Sequence, residues 1–389
     1  MRVTFDWIQL AAAVGAVQGL LLAVVLVAHR TKRTANRLLA ALMAAFAIYL
    51  IAQVYYSAGM VQVYPHLFGL SYPMPWVFGP LVYLYALAAS DTAWRFRTRD
   101  LLHFVPVMLV VVATLPIYLM SGPDKIALYG RIQTGNPPTV LAALSPFMYI
   151  SGLSYSVATV AYLRRHARRV ENSYSNTERV NLQWLLRLSG AAAAIWLLAL
   201  SIRVANSLPE AIPRPAGNLV GLAITLVVYA IGYMGLRQPE IYRYDEPAPV
   251  QPPESTTEPS GPSAARYERS GLSAVEAAAL KSELVALMAK EHPYRDPDLT
   301  LSDLAEQLST SPHKLSEVLN QELAQTFYDF VNSYRVGDVR QRLVERTSQH
   351  LSVLTLALDA GFASKSTFNQ VFKKLTGQTP SSYRKALGA

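Results

Sequence analysis

The chain has 389 residues, of which 52% are hydrophobic and only 16% charged, a balance that is apolar for a soluble chain and predicts that part of it lies in a bilayer. The absence of cysteine excludes disulfides, thiolate nucleophiles and cysteine-based metal sites, and the seven histidines lack the paired spacing of a zinc site, so we expect no metal site. We also expect no cofactor and no catalytic residue. The net charge of +9 does not by itself indicate nucleic acid, because residues 271–389 contain 13 basic and 13 acidic side chains and the excess lies elsewhere.

The first 239 residues predict a bundle of transmembrane helices. Seven apolar stretches have about 20 residues each, the length that a helix needs to cross the hydrocarbon core. They are Trp7–Ala28, Leu38–Tyr56, Leu67–Ala89, Leu101–Met120, Val140–Leu163, Leu185–Asn206 and Leu219–Leu236. A cleaved signal peptide is the rival interpretation of the first stretch, but its basic cluster follows the apolar run instead of preceding it.

The distribution of basic residues predicts the orientation of this bundle. The connections after the first, third and fifth stretches carry 12 Lys and Arg, whereas those after the second, fourth and sixth carry three. Basic residues near span ends are retained in the cytoplasm. We therefore expect the N-terminus outside and everything after Arg237 in the cytoplasm.

Two features of the bundle bear on sensing. Pro73, Pro75 and Pro80 break helical hydrogen bonds in the third stretch, which predicts either a simple kink or the wall of a ligand cavity. Arg187 and Arg203 lie near opposite ends of the sixth stretch, where snorkelling to the interfaces explains them. Because no outer connection is long enough to form a domain, an unknown membrane or extracytoplasmic ligand must be sensed by the bundle, its short outer loops or the lipid.

Residues 240–270 predict a disordered linker. They are rich in Pro, Ser, Thr and Glu and have no apolar periodicity. Such a tether would let the last domain stand off the membrane while remaining near it.

Residues 271–389 predict a helical domain with two similar units at about 300–322 and 352–375. A preceding helix starts with the capping box Ser273-x-x-Glu276, and its apolar face can pack on the domain or form a dimer contact. Each unit is a short helix, a turn and a second helix. The expected helix N-caps are Thr300, Ser311, Ser352 and Ser364.

The second helix of each unit has one apolar and one polar face. In the first unit the inward positions are Leu315, Val318 and Leu319, opposite His313, Ser316, Glu317 and Asn320. In the second unit they are Phe368, Val371, Phe372 and Leu375, opposite Ser366, Asn369, Gln370 and Lys373, with Lys365 at the tip. Polar side chains near a helix N-terminus read base edges, and cations contact phosphate. A long helix with core positions Phe327, Phe330, Val331 and Tyr334 can hold the two reading helices about one duplex turn, roughly 34 Å, apart.

The pattern GF-x-S-x-S-x-F-x-x-x-FKK-x-x-G-x-TPS-x-YR from Gly361 to Arg384 resembles the signature of the arabinose-operon-regulator (AraC) type of transcription factor. The stretches LSDLA, SPHKLSEVL and YDFVNSYR resemble that family's first helix-turn-helix, and the apolar half is similar to the subgroup with a multi-span membrane domain. The resemblance implies base contacts from His313, Ser316, Glu317, Lys365, Ser366, Asn369 and Gln370. Two positions depart from the family pattern: Ala324 replaces a glycine and Gly337 replaces an alanine.

Charge divides the domain in two. Residues 271–329 contain 4 basic and 10 acidic side chains, and residues 330–389 contain 9 basic and 3 acidic ones. We therefore expect most phosphate contacts to come from Arg335, Lys373, Lys374, Arg384 and Lys385. Glu317 is open to two interpretations, since it can accept a hydrogen bond from a cytosine amino group or repel phosphate.

The sequence thus predicts an all-α protein with a seven-helix transmembrane bundle (1–239), a linker (240–270) and a cytoplasmic double helix-turn-helix domain (271–389). The expected function is a sequence-specific DNA-binding transcription regulator anchored in the bacterial cytoplasmic (inner) membrane, with double-stranded DNA and the bilayer as partners. The alternative is a transporter or receptor whose C-terminal domain is a protein-interaction module.

Overall fold

The computed structural model describes residues 7–28, 33–91, 93–177, 182–205, 216–237, 272–345 and 351–387. Most of these residues are helical, and among them there is no strand beyond one isolated β-bridge. The chain forms two compact units, one containing residues 1–164 and 182–247 and the other residues 165–181 and 248–389. The predicted linker and the basic residues Arg30, Lys32, Arg179 and Arg214 lie outside the described residues.

The first unit is an apolar helical bundle. Its helices are α1 (Trp7–Ala28), α2 (Arg33–Ser57), α3 (Met74–Ser90), α4 (Val105–Tyr118), α5 (Gly122–Gln133), α6 (Thr139–Ser173, which continues into the second unit), α7 (Gln183–Ala205) and α8 (Ala216–Arg237). Small residues let α1 and α2 approach closely, since a Cβ at Gly19 would lie 3.2 Å from the Met43 carbonyl oxygen. The outward side of α1 exposes Leu10, Val17 and Leu21, as expected of a surface that faces lipid.

The structure does not confirm the count of seven spans. Five helices within the described residues are long and apolar enough to cross a membrane: Trp7–Ala28, Thr34–Ser57, Thr98–Tyr118, Thr139–Ser173 and Gln183–Ala205. Two apolar helices, Met74–Ser90 and Val220–Ile231, are shorter.

The third predicted span starts later than the sequence pattern indicates. Gly69 is left-handed at φ +88°, and Pro73 is the N-cap of α3, so residues 68–73 form turns before the helix begins at Met74. Proline lacks the N–H that a continuing helix needs. Hydropathy alone could not detect this delayed start, because the turn residues are themselves largely apolar.

Where the structure describes the second unit, it contains seven further α-helices. They are α9 (Ala274–Lys290), α10 (Leu301–Gln307), α11 (Pro312–Glu322), α12 (Phe327–Val344), α13 (Val353–Asp359), α14 (Lys365–Thr376) and α15 (Pro380–Ala386). All the predicted N-caps are confirmed. Each cap hydroxyl accepts a hydrogen bond from the backbone N–H three residues later: Ser273, Thr300, Ser311, Ser352 and Ser364.

Helix α12 links two separate apolar cores. Its first half contributes Phe327, Phe330 and Val331 to a core with α10 and α11. Its second half contributes Val336, Val339 and Leu343 to a core with α13 and α14. Helix α9 buries Leu284 and Met288 in the first of these cores, which is the packing role expected for it. The two helix-turn-helix units therefore share one helix while each keeps its own interior.

Candidate nucleic-acid interface

Helix α14 has the two faces that the sequence predicts. Phe368, Val371 and Phe372 are buried, and the rings of Phe368 and Phe372 meet edge to face with centroids 5.4 Å apart. The prediction that Leu375 faces inward is wrong, because this side chain is 47% exposed in the last turn of the helix. The buried anchor of α14 thus lies in its first two turns.

The opposite face of α14 presents the predicted base-contacting residues to solvent. Lys365, Ser366, Asn369 and Gln370 are all exposed. Ser364 caps the helix N-terminus by accepting from the Thr367 N–H. The structure therefore places these four side chains together near the N-terminal end of one helix, where short polar groups can reach base edges.

Helix α11 presents a less uniform face. Leu315, Val318 and Leu319 are buried as predicted, and His313 is exposed. Ser316 and Glu317 are half-buried and already engaged within the helix. The Asn320 amide donates to the Ser316 carbonyl oxygen (2.8 Å) and hydroxyl (3.2 Å), while the Gln321 amide donates to Glu317 Oε1 (3.1 Å). Glu317 Oε2 is buried without a hydrogen-bond partner.

Comparison with known proteins finds a helix-turn-helix domain within the second unit. A family model described as "Helix-turn-helix domain" matches residues 304–386. Residues 304–386 are a helix-turn-helix domain of the AraC type.

The similar curated proteins are transcription regulators. Over 104 residues, 27% of this chain and 32% of the relative, the chain is 29% identical to the melibiose operon regulatory protein of Escherichia coli (strain K12). Over 87 residues it is 33% identical to uncharacterized HTH-type transcriptional regulators of Staphylococcus aureus strains COL and MSSA476, with 22% of this chain and 11% of each relative covered. The similarity therefore spans a third or less of each relative. No solved structure matches the chain.

The cationic side chains that we expect to contact phosphate differ in exposure and in the partners that they already have. Lys373 and Lys385 are exposed. Lys374 forms an ion pair with Asp329 at 2.8 Å, and both side chains remain partly exposed. Arg384 donates from Nη1 to the Leu351 carbonyl oxygen at 2.8 Å. These four cations stay on the surface of the second unit, and their contacts with phosphate remain predictions.

The prediction that Arg335 contacts phosphate is wrong. Its side chain is 1% exposed, and the guanidinium donates to the carbonyl oxygens of Tyr294 and Asp296, each at 2.7 Å. Burial lowers the pKa of Arg335 to about 10, which leaves it charged at neutral pH. A buried arginine whose donors bind backbone carbonyls is a structural residue.

Arg335 lies where the two helix-turn-helix units meet, and we call this place the joint. It donates to the carbonyls of Tyr294 and Asp296, which precede the first unit, and lies 5.9 Å from the ring centroid of Phe362 in the turn of the second unit. Sequence reasoning missed this role because an arginine in a basic half of a domain suggests phosphate. Its position four residues after the core residue Val331 was the available signal, since i and i+4 lie on the same helix face.

Among the described residues, no group of three or more His, Asp or Glu side chains is arranged to hold a metal ion. The arrangement of α11, α12 and α14 offers polar and cationic surface groups on a rigid helical scaffold.

Proposed function

We propose that this protein is a membrane-anchored, sequence-specific DNA-binding transcription regulator. The observation that carries the proposal is the exposed polar face of α14, with Lys365, Ser366, Asn369 and Gln370, within an AraC-type helix-turn-helix domain. Side chains of these types are the ones that read base edges in the major groove. The helix is held from behind by the buried Phe368 and Phe372.

The apolar first unit supports anchoring in the cytoplasmic membrane. Five of its helices have the length and hydropathy of membrane spans. The excess of basic residues in alternate connections supports an orientation with the DNA-binding domain in the cytoplasm. In this proposal the bundle receives a membrane or envelope signal and changes the DNA-binding state of the second unit.

The experiment that tests the proposal is DNA capture by the full-length protein in lipid nanodiscs. Genomic fragments that include the promoter beside its own gene are captured, sequenced and then tested one by one at moderate salt. The expected result is retention of a small set of fragments that share a sequence motif. Gln370→Ala should alter the preferred base at one position of that motif, whereas Gln341→Ala, at an exposed position outside the reading face, should leave it unchanged.

Failure to retain any DNA at low salt would contradict the proposal. It would favour the alternative in which the C-terminal domain binds another protein. Retention of DNA fragments that share no motif would contradict only the proposal that binding is sequence-specific.

A further inference from the structure

A short segment after the fifth apolar stretch is packed into the second unit. Residues 165–181 belong to that unit by their contacts. Helix α6 ends at Ser173, Tyr174 pairs with Thr300 in an isolated antiparallel β-bridge, and Ser175 is 0% exposed. The membrane connection that carries the largest share of basic residues therefore includes a piece of the helix-turn-helix unit.

Ser175 is hydrogen-bonded on both sides. Its hydroxyl donates to the Leu299 carbonyl oxygen at 2.7 Å and accepts from Arg335 Nη2 at 3.0 Å. Its backbone N–H donates to the same Leu299 oxygen at 3.3 Å. Its carbonyl oxygen accepts from Asn332 Nδ2 at 3.3 Å and Arg335 Nη1 at 3.4 Å. Because every one of these buried polar groups is hydrogen-bonded, the segment is held in a single position against the helix-turn-helix domain.

The segment docks at the joint of the two helix-turn-helix units. Arg335, which binds Ser175, also binds the carbonyls of Tyr294 and Asp296 and lies over the Phe362 ring. Loss of the Ser175 contacts would leave part of a buried guanidinium unpaired, which is unfavourable enough to change how the joint packs.

Docking leaves the reading faces free. In the same structure His313 on α11 and Lys365, Asn369 and Gln370 on α14 are exposed. The segment therefore does not act by covering the DNA-binding surface.

We infer that residues 165–177 are the coupling element of this protein. They bind the Arg335 joint and fix the relative geometry of the two helix-turn-helix units, so that both can engage one DNA site. This inference rests on the proposed function. It assigns coupling to a short segment with defined contacts, which the predicted flexible linker at 240–270 would not provide.

The docking itself is tested by an engineered disulfide in the full-length protein, which has no native cysteine. Residues opposed in an antiparallel bridge have Cα atoms about 4.5–5.5 Å apart, within disulfide range. Tyr174→Cys with Thr300→Cys should cross-link under mild oxidation in native membranes. The matched pair Tyr174→Cys with Ser381→Cys, whose second site is exposed on α15, should not. Equal cross-linking of both pairs, or none in the first, would overturn docking.

The coupling is tested by substituting Ser175. Ser175→Arg places a second cation beside Arg335 in a fully buried position, whereas Thr177→Arg makes the same change at a partly exposed neighbour. For the full chain in nanodiscs, Ser175→Arg should weaken binding to a complete site about tenfold and leave binding to a single half-site unchanged. Ser175→Ala should give a smaller loss in the same direction.

The possible failures are distinguishable. If wild-type protein binds no DNA, the proposed function fails, while the cross-link still reports on docking. If wild-type protein binds DNA and Ser175→Arg changes complete-site and half-site binding equally, the coupling role is overturned.

A cavity in the first unit supports a second inference. A cavity of about 370 Å³ lies among α2, α3, α6, α7 and α8, and Pro75 and Gly79 of the proline-broken segment line it. Pockets that hold small molecules have about 300–1,000 Å³ and mostly apolar walls. Pro75 of the third apolar stretch therefore borders a cavity, which supports the second of the two alternatives that the sequence left open.

The cavity wall is mostly apolar, with several polar side chains and one charged one among the described residues. Phe46, Phe78 and Trp196 contribute rings. The Ser189 hydroxyl is buried without a hydrogen-bond partner, and the Arg203 guanidinium belongs to the same lining. Among the described residues, no acidic side chain forms an ion pair with Arg203. Arg203 is the one charged side chain in the described lining, and a cation beside a mostly apolar wall favours a ligand with one anionic group and an apolar tail.

We propose that this cavity binds a monoanionic amphiphile, with its anionic group at Arg203 and its tail along Phe78 and Trp196. The probe is brominated decanoic acid, and the readout is quenching of tryptophan fluorescence in nanodiscs, because Trp196 lies in the wall. Quenching should saturate, and plain decanoic acid should reverse it at lower concentration than decanol does.

Three variants locate the site. Arg203→Gln should remove the preference for the acid over the alcohol. Ala192→Phe fills the lining and should abolish saturable quenching, whereas Leu197→Phe, at a 54% exposed position on the same helix outside the lining, should not. Quenching that never saturates, or that is the same in Ala192→Phe and Leu197→Phe, would overturn the proposal. In nanodiscs with brominated lipid chains, quenching that decanoic acid cannot relieve would assign the cavity to a lipid chain and also overturn it.

Discussion

Gly361 shows how a single residue fixes the contact between the turn of the second helix-turn-helix unit and the segment before the first. Its φ of +95° lies in the left-handed region, and a Cβ there would be 2.3 Å from the Tyr294 carbonyl oxygen. Only glycine satisfies both conditions. The sequence predicted a turn between the two helices of this unit, and the tertiary contact explains why glycine occupies it.

Gly361→Ala should destabilise the second unit by about 3 kcal/mol or more, because backbone strain and a steric clash add up. Gly337→Ala is the matched control: a Cβ on α12 at this position meets nothing within 4 Å, and alanine improves helix propensity by about 1 kcal/mol. Hydrogen exchange of the α13 and α14 amides in the full chain measures both changes. Equal effects of the two substitutions would contradict this explanation.

Ala324 is the complementary case. The family pattern has glycine there, and the structure shows why: its φ is +51°. A left-handed alanine is strained by about 1–2 kcal/mol, while glycine loses about 0.4–1 kcal/mol more backbone entropy on folding. Ala324→Gly should therefore stabilise α11 and α12 by about 0.5–1 kcal/mol, measured by slower amide exchange. Faster exchange would show that the position is not strained.

At the scale of the element, α14 combines a buried anchor with a polar outer face and exposed cations. Its burial pattern follows from residue spacing over the first two turns. In the last turn, the exposure of Leu375 shows that the neighbouring elements, and not helix periodicity alone, decide what is covered.

If Lys373 contacts phosphate, Lys373→Gln should reduce the slope of log affinity against log salt by about one unit, because one fewer counterion is released. Lys290→Gln, at an exposed position on α9, should leave the slope unchanged. The measurement is a salt titration of the full chain on a mapped DNA site. The same slope for wild type and Lys373→Gln would remove this residue from the interface.

At the scale of the whole molecule, topology decides whether the second unit can meet the chromosome. Because the chain has no cysteine, single cysteines can report which side of the membrane a residue occupies. Gln133→Cys and Ser381→Cys are both at exposed positions, on α5 and α15.

In intact cells with a permeable outer barrier, a membrane-impermeant maleimide should label Gln133→Cys and not Ser381→Cys. After lysis both should be labelled. Labelling of Ser381→Cys in intact cells would reverse the orientation that the basic residues predict.

The sequence by itself determined what depends on neighbours along the chain. Apolar stretches, N-caps such as Thr300 and Ser364, and the two faces of α11 and α14 all follow from spacings of a few residues. Tertiary structure decided what depends on residues far apart in sequence. Arg335 is buried because the carbonyls of Tyr294 and Asp296 surround it, and Ser175 reaches it across 160 positions. Charge and periodicity carry no information about such partners, because a polar group's role depends on which distant backbone atoms remain for it to bind.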